Sequence, residues 1–457
     1  MHRVDTEQTG VIPRPPPQET KFPPIRRVPP EILSLFFTFT KPSDLADCIP
    51  SLNHPPLTLL QVCSSWKSIA LATPDLWTAL CISMKFSKLL LDLATVRQYE
   101  EMTIQWFSRA GPHLGLSLQF GDSIYICNPD FSNLILSHPE RFRELSINLL
   151  EPDSLATFAH GHGNASAFSQ LEDLTIECHN LALDVTFAAA GRLRRMKIQI
   201  PFLSWEKRKN FAPWKQLTCL YIGSMETSVW VPLVAHCINL ENGTFGIAST
   251  VGTPVPTVNV MMAHLTSFDL TFTTGPLFIQ LFEGFRFPAL MSLRLMLARN
   301  CHFSWTHPEH FYRQLILLRI FRFIGNSEDL VNLLRHTPSL VSLHATTYGE
   351  LNTFLVRLTV MNESDPLIPG LNRLTIRPKK WTFLSSSVGL LLKMVTSRTL
   401  HTSACPLEYL SIIHPNVESR RSEDLDLEQQ LRALPCQVIK CSPLRRYEGL
   451  FHFVPRA

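Results

Sequence analysis

The chain has 457 residues, 45% of them hydrophobic and 18% charged, which excludes a wholly disordered polymer. Its 42 Lys and Arg against 38 Asp and Glu leave a net charge of only +4, so the whole-chain charge makes no case for a nucleic-acid partner. The length suits either two to four ordinary domains or one long repeat array.

Residues 1–27 set Pro13, Pro15, Pro16, Pro17, Pro23 and Pro24 among polar side chains, the composition of a disordered, polyproline-like leader. They hold no apolar run of the signal-peptide kind. The longest charge-free stretch, residues 242–268, is broken by Gly243, Gly246, Gly252, Pro254 and Pro256, so no membrane span is expected. The expected compartment is the cytoplasm, the nucleus or both. There the 11 scattered cysteines, without a Cys-x-x-Cys pair, would stay reduced.

From Val28 the composition changes. Pro29 and Pro30 precede Glu31, Ile32, Leu33, Leu35, Phe36, Phe37 and Phe39. Proline suits a first helical turn, where its missing N–H would be unbonded anyway, and Glu31 suits the positive helix N-terminus. Ile32, Leu35, Phe36 and Phe39 have helical spacing, and Ile32, Leu33, Phe36 and Phe37 make the apolar surface wider than one core needs. After a looser segment, a second helix is expected over Leu59, Leu60, Val62, Cys63, Trp66, Ile69 and Ala70. It ends at Thr73-Pro74, because the residue before proline avoids the α region.

The strings from Val28 to Phe37 and from Leu59 to Trp77 together resemble the F-box motif, in particular the F-box-like form of mushroom-forming fungi. Pro29, Glu31, Ile32, Leu33, Val62, Cys63, Trp66, Pro74, Leu76 and Trp77 carry the match. Val28 stands where leucine is common, and Thr40–Leu57 is longer and richer in proline than usual. The resemblance implies a small helical module that binds a Skp-family adaptor and, through it, a cullin. Its expected partner face is Pro29, Glu31, Ile32, Leu33, Phe36, Val62, Cys63, Trp66, Leu76 and Trp77, with Trp66 leaning towards the core.

Phe86, Leu89, Leu90, Leu93, Tyr99, Met102 and Trp106 then suggest one or two amphipathic connecting helices. Beyond them an apolar-x-x-apolar-x-apolar pattern recurs, starting at residues 142, 171, 193, 217, 240, 265, 290, 315, 340, 371 and 407. Four consecutive intervals are 25 residues, from 240 to 340. Trp77–Leu80–Ile82 and Leu114–Leu116–Leu118 look like earlier members. A period near 25 with this core marks leucine-rich repeats, whose units cannot bury their apolar face alone and so stack. A helical repeat array or unrelated α/β units would also use many leucines, but the even spacing favours the solenoid. Helices are expected around Val231–Cys237, Leu330–Leu334 and Val388–Val395.

The expected fold class is α/β: a leader (1–27), an F-box-like helical module (28–80), a helical linker (81–112) and a leucine-rich-repeat solenoid (113–457). In each repeat the residues between the consensus leucines would face the concave side. Early strands offer Glu144, Asp173 and Glu177; later ones offer Arg195, Lys197, Arg294, Arg319, Phe321, Arg373, Arg377 and Tyr409 as a target-binding strip. Arginines there could pair with carboxylates or phosphates while aromatics supply contact area. The segment Trp205–Lys209 reads as an exposed loop.

No Gly-x-Ser-x-Gly elbow, P-loop or dinucleotide fingerprint occurs, and no cofactor or metal is expected. His160 with His162, and His302, His307 and His310, read as ordinary polar loops. The resemblance thus implies a non-enzymatic substrate-recognition subunit of an SCF-type ubiquitin ligase. The alternative is a repeat-protein scaffold that drives no ubiquitination.

Overall fold

The computed structural model describes residues 28–82, 93–120, 138–149, 168–178, 186–202, 204–248, 259–274, 284–297, 313–323, 327–347, 351–361, 366–378, 382–414 and 438–443. The proline-rich leader and the histidines at 160–162 and 302–310 lie outside these residues.

Helix α1 (Pro30–Phe39) starts as its prolines dictate: Pro29 is its N-cap, Pro30 opens the first turn and Glu31 sits in it. Leu33 and Phe37, one helical turn apart, are buried, and Phe37 meets the Trp66 ring at 4.9 Å. Helix α2 (Ser64–Leu71) is shorter than its apolar pattern suggests. Leu59–Gln61 form a separate 3-10 turn, and Cys63 is fully extended at φ −164°. From there its Sγ accepts the Trp66 N–H at 3.5 Å and caps α2. A side-chain acceptor at this place satisfies an otherwise unbonded N–H, so the break is a helix start.

Fourteen strands form one parallel sheet whose spatial order follows chain order, a solenoid-like α/β arrangement. They are β1 (Ala79–Ile82), β2 (Leu116–Phe120), β3 (Phe142–Leu149), β4 (Asp173–Cys178), β5 (Arg195–Phe202), β6 (Cys219–Glu226) and β7 (Asn242–Ala248). After β8 (Val260–Met261) come β9 (Ser267–Thr274), β10 (Phe285–Arg286), β11 (Ser292–Met296), β12 (Leu317–Phe323), β13 (Ser342–Thr347), β14 (Arg373–Pro378), β15 (Tyr409–His414) and β16 (Val438–Pro443). Among the described residues, strands β8 and β10 pair only with each other.

The register explains the 25-residue period. Leu145, Leu174, Met196, Leu220, Gly243, Phe268, Leu293, Leu318, Leu343, Leu374 and Leu410 are successive cross-strand neighbours. Two residues on, Ile147, Ile176, Ile198, Ile222, Phe245, Leu270, Leu295, Ile320, Ala345, Ile376 and Ile412 form a second ladder. Apart from Gly243, every one of these side chains belongs to the apolar interior. Alternate residues of a strand point to opposite faces, so two positions per repeat, two residues apart, line one shared core.

The ladder's one gap is filled by rings. A Cβ on Gly243 would lie 2.8 Å from Phe245 Cε2 and 3.1 Å from Leu240 Cδ2. Trp230, fully buried, packs 6.3 Å from Phe245, 6.1 Å from Phe268 and 5.4 Å from Phe285. The aromatic volume stands where a leucine sits in other repeats.

The sheet begins at Ala79, where Trp77–Leu80–Ile82 has the look of an early repeat, and so ahead of the solenoid boundary expected at residue 113. Strand β1 pairs with β2, and Trp106 of helix α3 (Leu93–Arg109) lies against Trp77 at 4.9 Å and donates to the Ala79 carbonyl at 3.1 Å. The expected module and linker therefore share one core with the sheet. Helices α4 (Thr227–His236), α5 (Ser327–Arg335) and α7 (Thr382–Leu400) follow the expected apolar spacings, whereas α6 (Leu351–Leu358) and strand β16 were not foreseen. Trp205–Arg208 is a single helical turn, with Lys207 and Lys209 exposed.

Near the end of α7, Arg398 is fully buried and donates to the Ile368 carbonyl at 2.6 Å, with longer contacts to Leu367, Pro369 and Leu371. Burial lowers its pKa to about 10. Ile368 has φ +54°, a left-handed conformation costly for a β-branched residue. The guanidinium clasps the loop that holds this strain.

Candidate functional site

Two surfaces carry the residues singled out from sequence. The first is the outer side of α1. With Leu33 and Phe37 turned inward, Ile32, Leu35, Phe36 and Phe39 are 44, 54, 60 and 77% exposed. Their i, i+3, i+4, i+7 spacing makes one continuous apolar stripe on a helix of ten residues. Val62, just before α2, is also exposed. A polar cleft lined by Glu31, Ser34, Thr38, Lys41 and Asp75 borders Leu35. Lys41 donates to Thr78 Oγ1 at 2.5 Å, and burial lowers its pKa.

The expected partner face is thus redrawn. Pro29, Glu31, Ile32, Phe36, Val62 and Cys63 are exposed, and Trp66 is half-buried. Leu33, Leu76 and Trp77 are buried and offer no surface; Trp77 also donates its indole N–H to the Ala70 carbonyl at 3.0 Å. Leu33 was misplaced because Ile32, Leu33, Phe36 and Phe37 all look equally apolar in sequence. The pairs Leu33–Phe37 and Ile32–Phe36 have the same spacing, and only packing on Trp66 decides which turns in. Leu35 and Phe39 belong to the exposed stripe, and their helical spacing with Ile32 was the signal.

The second surface is the open face of the sheet, made by residues between the ladder positions. Arg195, Arg319 and Arg373 are exposed; Lys197, Arg294, Phe321, Arg377 and Tyr409 are half-buried. Register sets them in rows. One row runs Glu144, Asp173, Arg195, Cys219, Asn242, Ser267, Ser292, Leu317, Ser342, Arg373, Tyr409. The next runs Ser146, Thr175, Lys197, Tyr221, Thr244, Asp269, Arg294, Arg319, His344, Thr375, Ser411.

At the β3–β5 end each basic side chain of the two rows has an acidic partner, although Glu144 and Asp173 also stand side by side. Arg195 Nε donates to Asp173 at 2.7 Å, and Lys197 Nζ donates to Glu177 at 2.8 Å and lies 5.7 Å from the Tyr221 ring centre. Burial still raises the Asp173 carboxyl above its usual pKa, Arg195 opposing it; burial and the Asp173 charge raise Glu144. At the β11–β14 end the balance differs. Arg294 donates to Asp269 at 3.2 Å and its guanidinium lies 4.9 Å from the Phe321 ring centre, while Phe321 meets the His344 ring at 4.7 Å. Burial, then the charges of Arg319, Arg377 and Arg294, lower the His344 pKa to about 4, so it is neutral at pH 7. Asp269 and His344, which complete this group, were not singled out from sequence.

Among the described residues no group of three or more His, Cys, Asp or Glu side chains is placed to hold a metal ion. No helix among them is long and apolar enough to cross a membrane. No protein-family model matches the chain, and no curated protein is detectably similar to it.

Proposed function

We propose that the chain is the substrate-recognition subunit of an SCF-type ubiquitin ligase, an F-box-like protein with irregular leucine-rich repeats that is itself not an enzyme. Helix α1 would bind a Skp-family adaptor, and the adaptor a cullin. The sheet's open face would hold a target so that other subunits deliver ubiquitin to its lysines. The chain's contribution would be proximity and orientation. Such work belongs in the cytoplasm or nucleus.

The observation that carries this reading is the stripe Ile32, Leu35, Phe36 and Phe39 beside the F-box-like string that opens α1. A ten-residue helix that leaves four large apolar side chains in water matches a surface completed by a partner. Covering each would gain roughly 1.5–3 kcal/mol before the costs of association.

The test is binding of a purified Skp-family adaptor by the wild-type chain and by an Ile32→Ser, Phe36→Ser double variant. Wild type should bind and then recruit a cullin. The double variant should bind at least about a hundredfold more weakly, roughly tenfold per anchor residue, with an unchanged melting temperature. Equal adaptor binding by both chains rejects the assignment. Adaptor binding without cullin recruitment would favour the scaffold alternative.

A further inference from the structure

The open face of the sheet is not uniform in charge. On the strands of the large sheet from β9 to β15 the only carboxylate is Asp269, set against the described arginine side chains Arg294, Arg319, Arg373 and Arg377. Register places Arg294 directly beside Arg319, and Arg377 beside Thr346. Asp269 faces both Arg294 and Arg319 and is the one carboxylate of these strands set against that like-charged pair. The β3–β5 end of the same face carries both signs: Arg195 pairs with Asp173 and Lys197 with Glu177, while Glu144 stands directly beside Asp173.

Apolar side chains border the arginines. Leu317 occupies an open-face position between Ser292 and Ser342, and Phe321 lies two residues beyond Arg319. Met291 and Ile316, at the points where β11 and β12 begin, are exposed. In the floor, His344 Nε2 and Thr346 Oγ1 are buried without a hydrogen-bond partner among the described residues, which packing alone does not explain.

We propose that this patch on β11–β14 binds an extended protein segment in which carboxylates alternate with apolar side chains. The proposal deepens the target-binding half of the proposed function. Dimensions favour a run of carboxylates over a single phosphoryl group. From β11 to β14 is three strand spacings, about 14 Å. One phosphoryl group cannot span that distance. An extended segment rising about 3.3 Å per residue covers it in four or five residues. Guanidinium forks pair with carboxylates in bidentate fashion, and half-buried rings such as Phe321 supply contact area.

The test is a fluorescence-anisotropy titration of the full chain with a fluorescein-labelled hexapeptide alternating glutamate and leucine, at low and at physiological salt. Binding is expected, weaker at higher salt. Arg319→Ala with Arg377→Ala should weaken it at least about tenfold, about 1.4 kcal/mol. Arg195→Ala, on the same face but in the sign-matched end, should change it less than about twofold. Circular dichroism and melting temperature establish that each variant is folded.

Four results would overturn the proposal: no binding at millimolar chain, equal binding of a glutamine–leucine peptide, equal binding of a glutamate–serine peptide, or tighter binding of a peptide with one phosphoserine between leucines. The titration contains no adaptor. Loss of peptide binding with adaptor binding intact therefore separates this proposal from the assignment of α1.

Discussion

Helix α1 and the parallel sheet handle large apolar side chains in opposite ways. In the sheet each leucine or isoleucine of a ladder is covered by its counterpart 22–36 residues along the chain, so repetition itself supplies the partner. Helix α1 has no second copy. Its inner pair, Leu33 and Phe37, is covered by Trp66 and its neighbours, while its outer stripe is covered by nothing among the described residues. Periodic apolar residues accordingly mean different things in the two regions. Inside a repeat they report a shared core; on a lone helix with two apolar stripes, one stripe is core and the other is surface.

The largest expected effect tests that division directly. Leu33→Ala should destabilise the N-terminal unit by about 2–5 kcal/mol, because a buried leucine leaves a cavity. Phe36→Ala, three residues away on the same helix, should stay within about 0.5 kcal/mol. Urea unfolding of the two variants checks this, and similar costs at both positions would erase the distinction between the stripes.

A smaller effect separates the open face of the sheet from its core. His344 has its folded pKa lowered from 6.5 to about 4. The unfolded chain therefore binds the proton first as pH falls. The stability associated with neutral His344 is fully present above about pH 6.5 and is lost as pH drops towards 4, by at most about 3 kcal/mol. Asp269 in the same group, its pKa raised by burial, pulls in the opposite direction. The His344 contribution is thus isolated by comparing wild type with His344→Gln. The drop in melting temperature between pH 7 and pH 4.5 should be smaller in the variant, and an equal drop would place His344 in solvent.

The smallest effect concerns the sign-matched end. Arg195→Gln removes a partly exposed pair with Asp173 and should cost only about 0.2–1 kcal/mol. A larger loss by thermal unfolding would mean that the pairs at β3–β5 hold the sheet together as the ladders do.

Much of this was legible in the sequence because repeats write their packing into spacing. The starts from 142 to 407 each mark a strand, and even the degenerate Leu240–Gly243–Phe245 takes its place in register. Long-range compensation was less legible. Nothing near Gly243 announces that Phe268 of the next strand, with Trp230 stacked on it, closes over the gap, and nothing near Ile368 announces the Arg398 clasp thirty residues later. The apolar spacing over Leu59–Ala70 suggested one helix, but Cys63 breaks it, because capping depends on backbone angles that hydrophobic spacing does not record.

By itself the sequence determined the period, the two apolar ladders and the helix start at Pro29-Pro30, since each depends on local chemistry or strict spacing. Tertiary structure decided which stripe of α1 faces water, that the N-terminal helices and α3 share one core with the sheet, and which arginines of the open face stand opposite carboxylates. Each of those outcomes depends on what lies across from a side chain. That is set by strand register and packing between residues far apart in the chain.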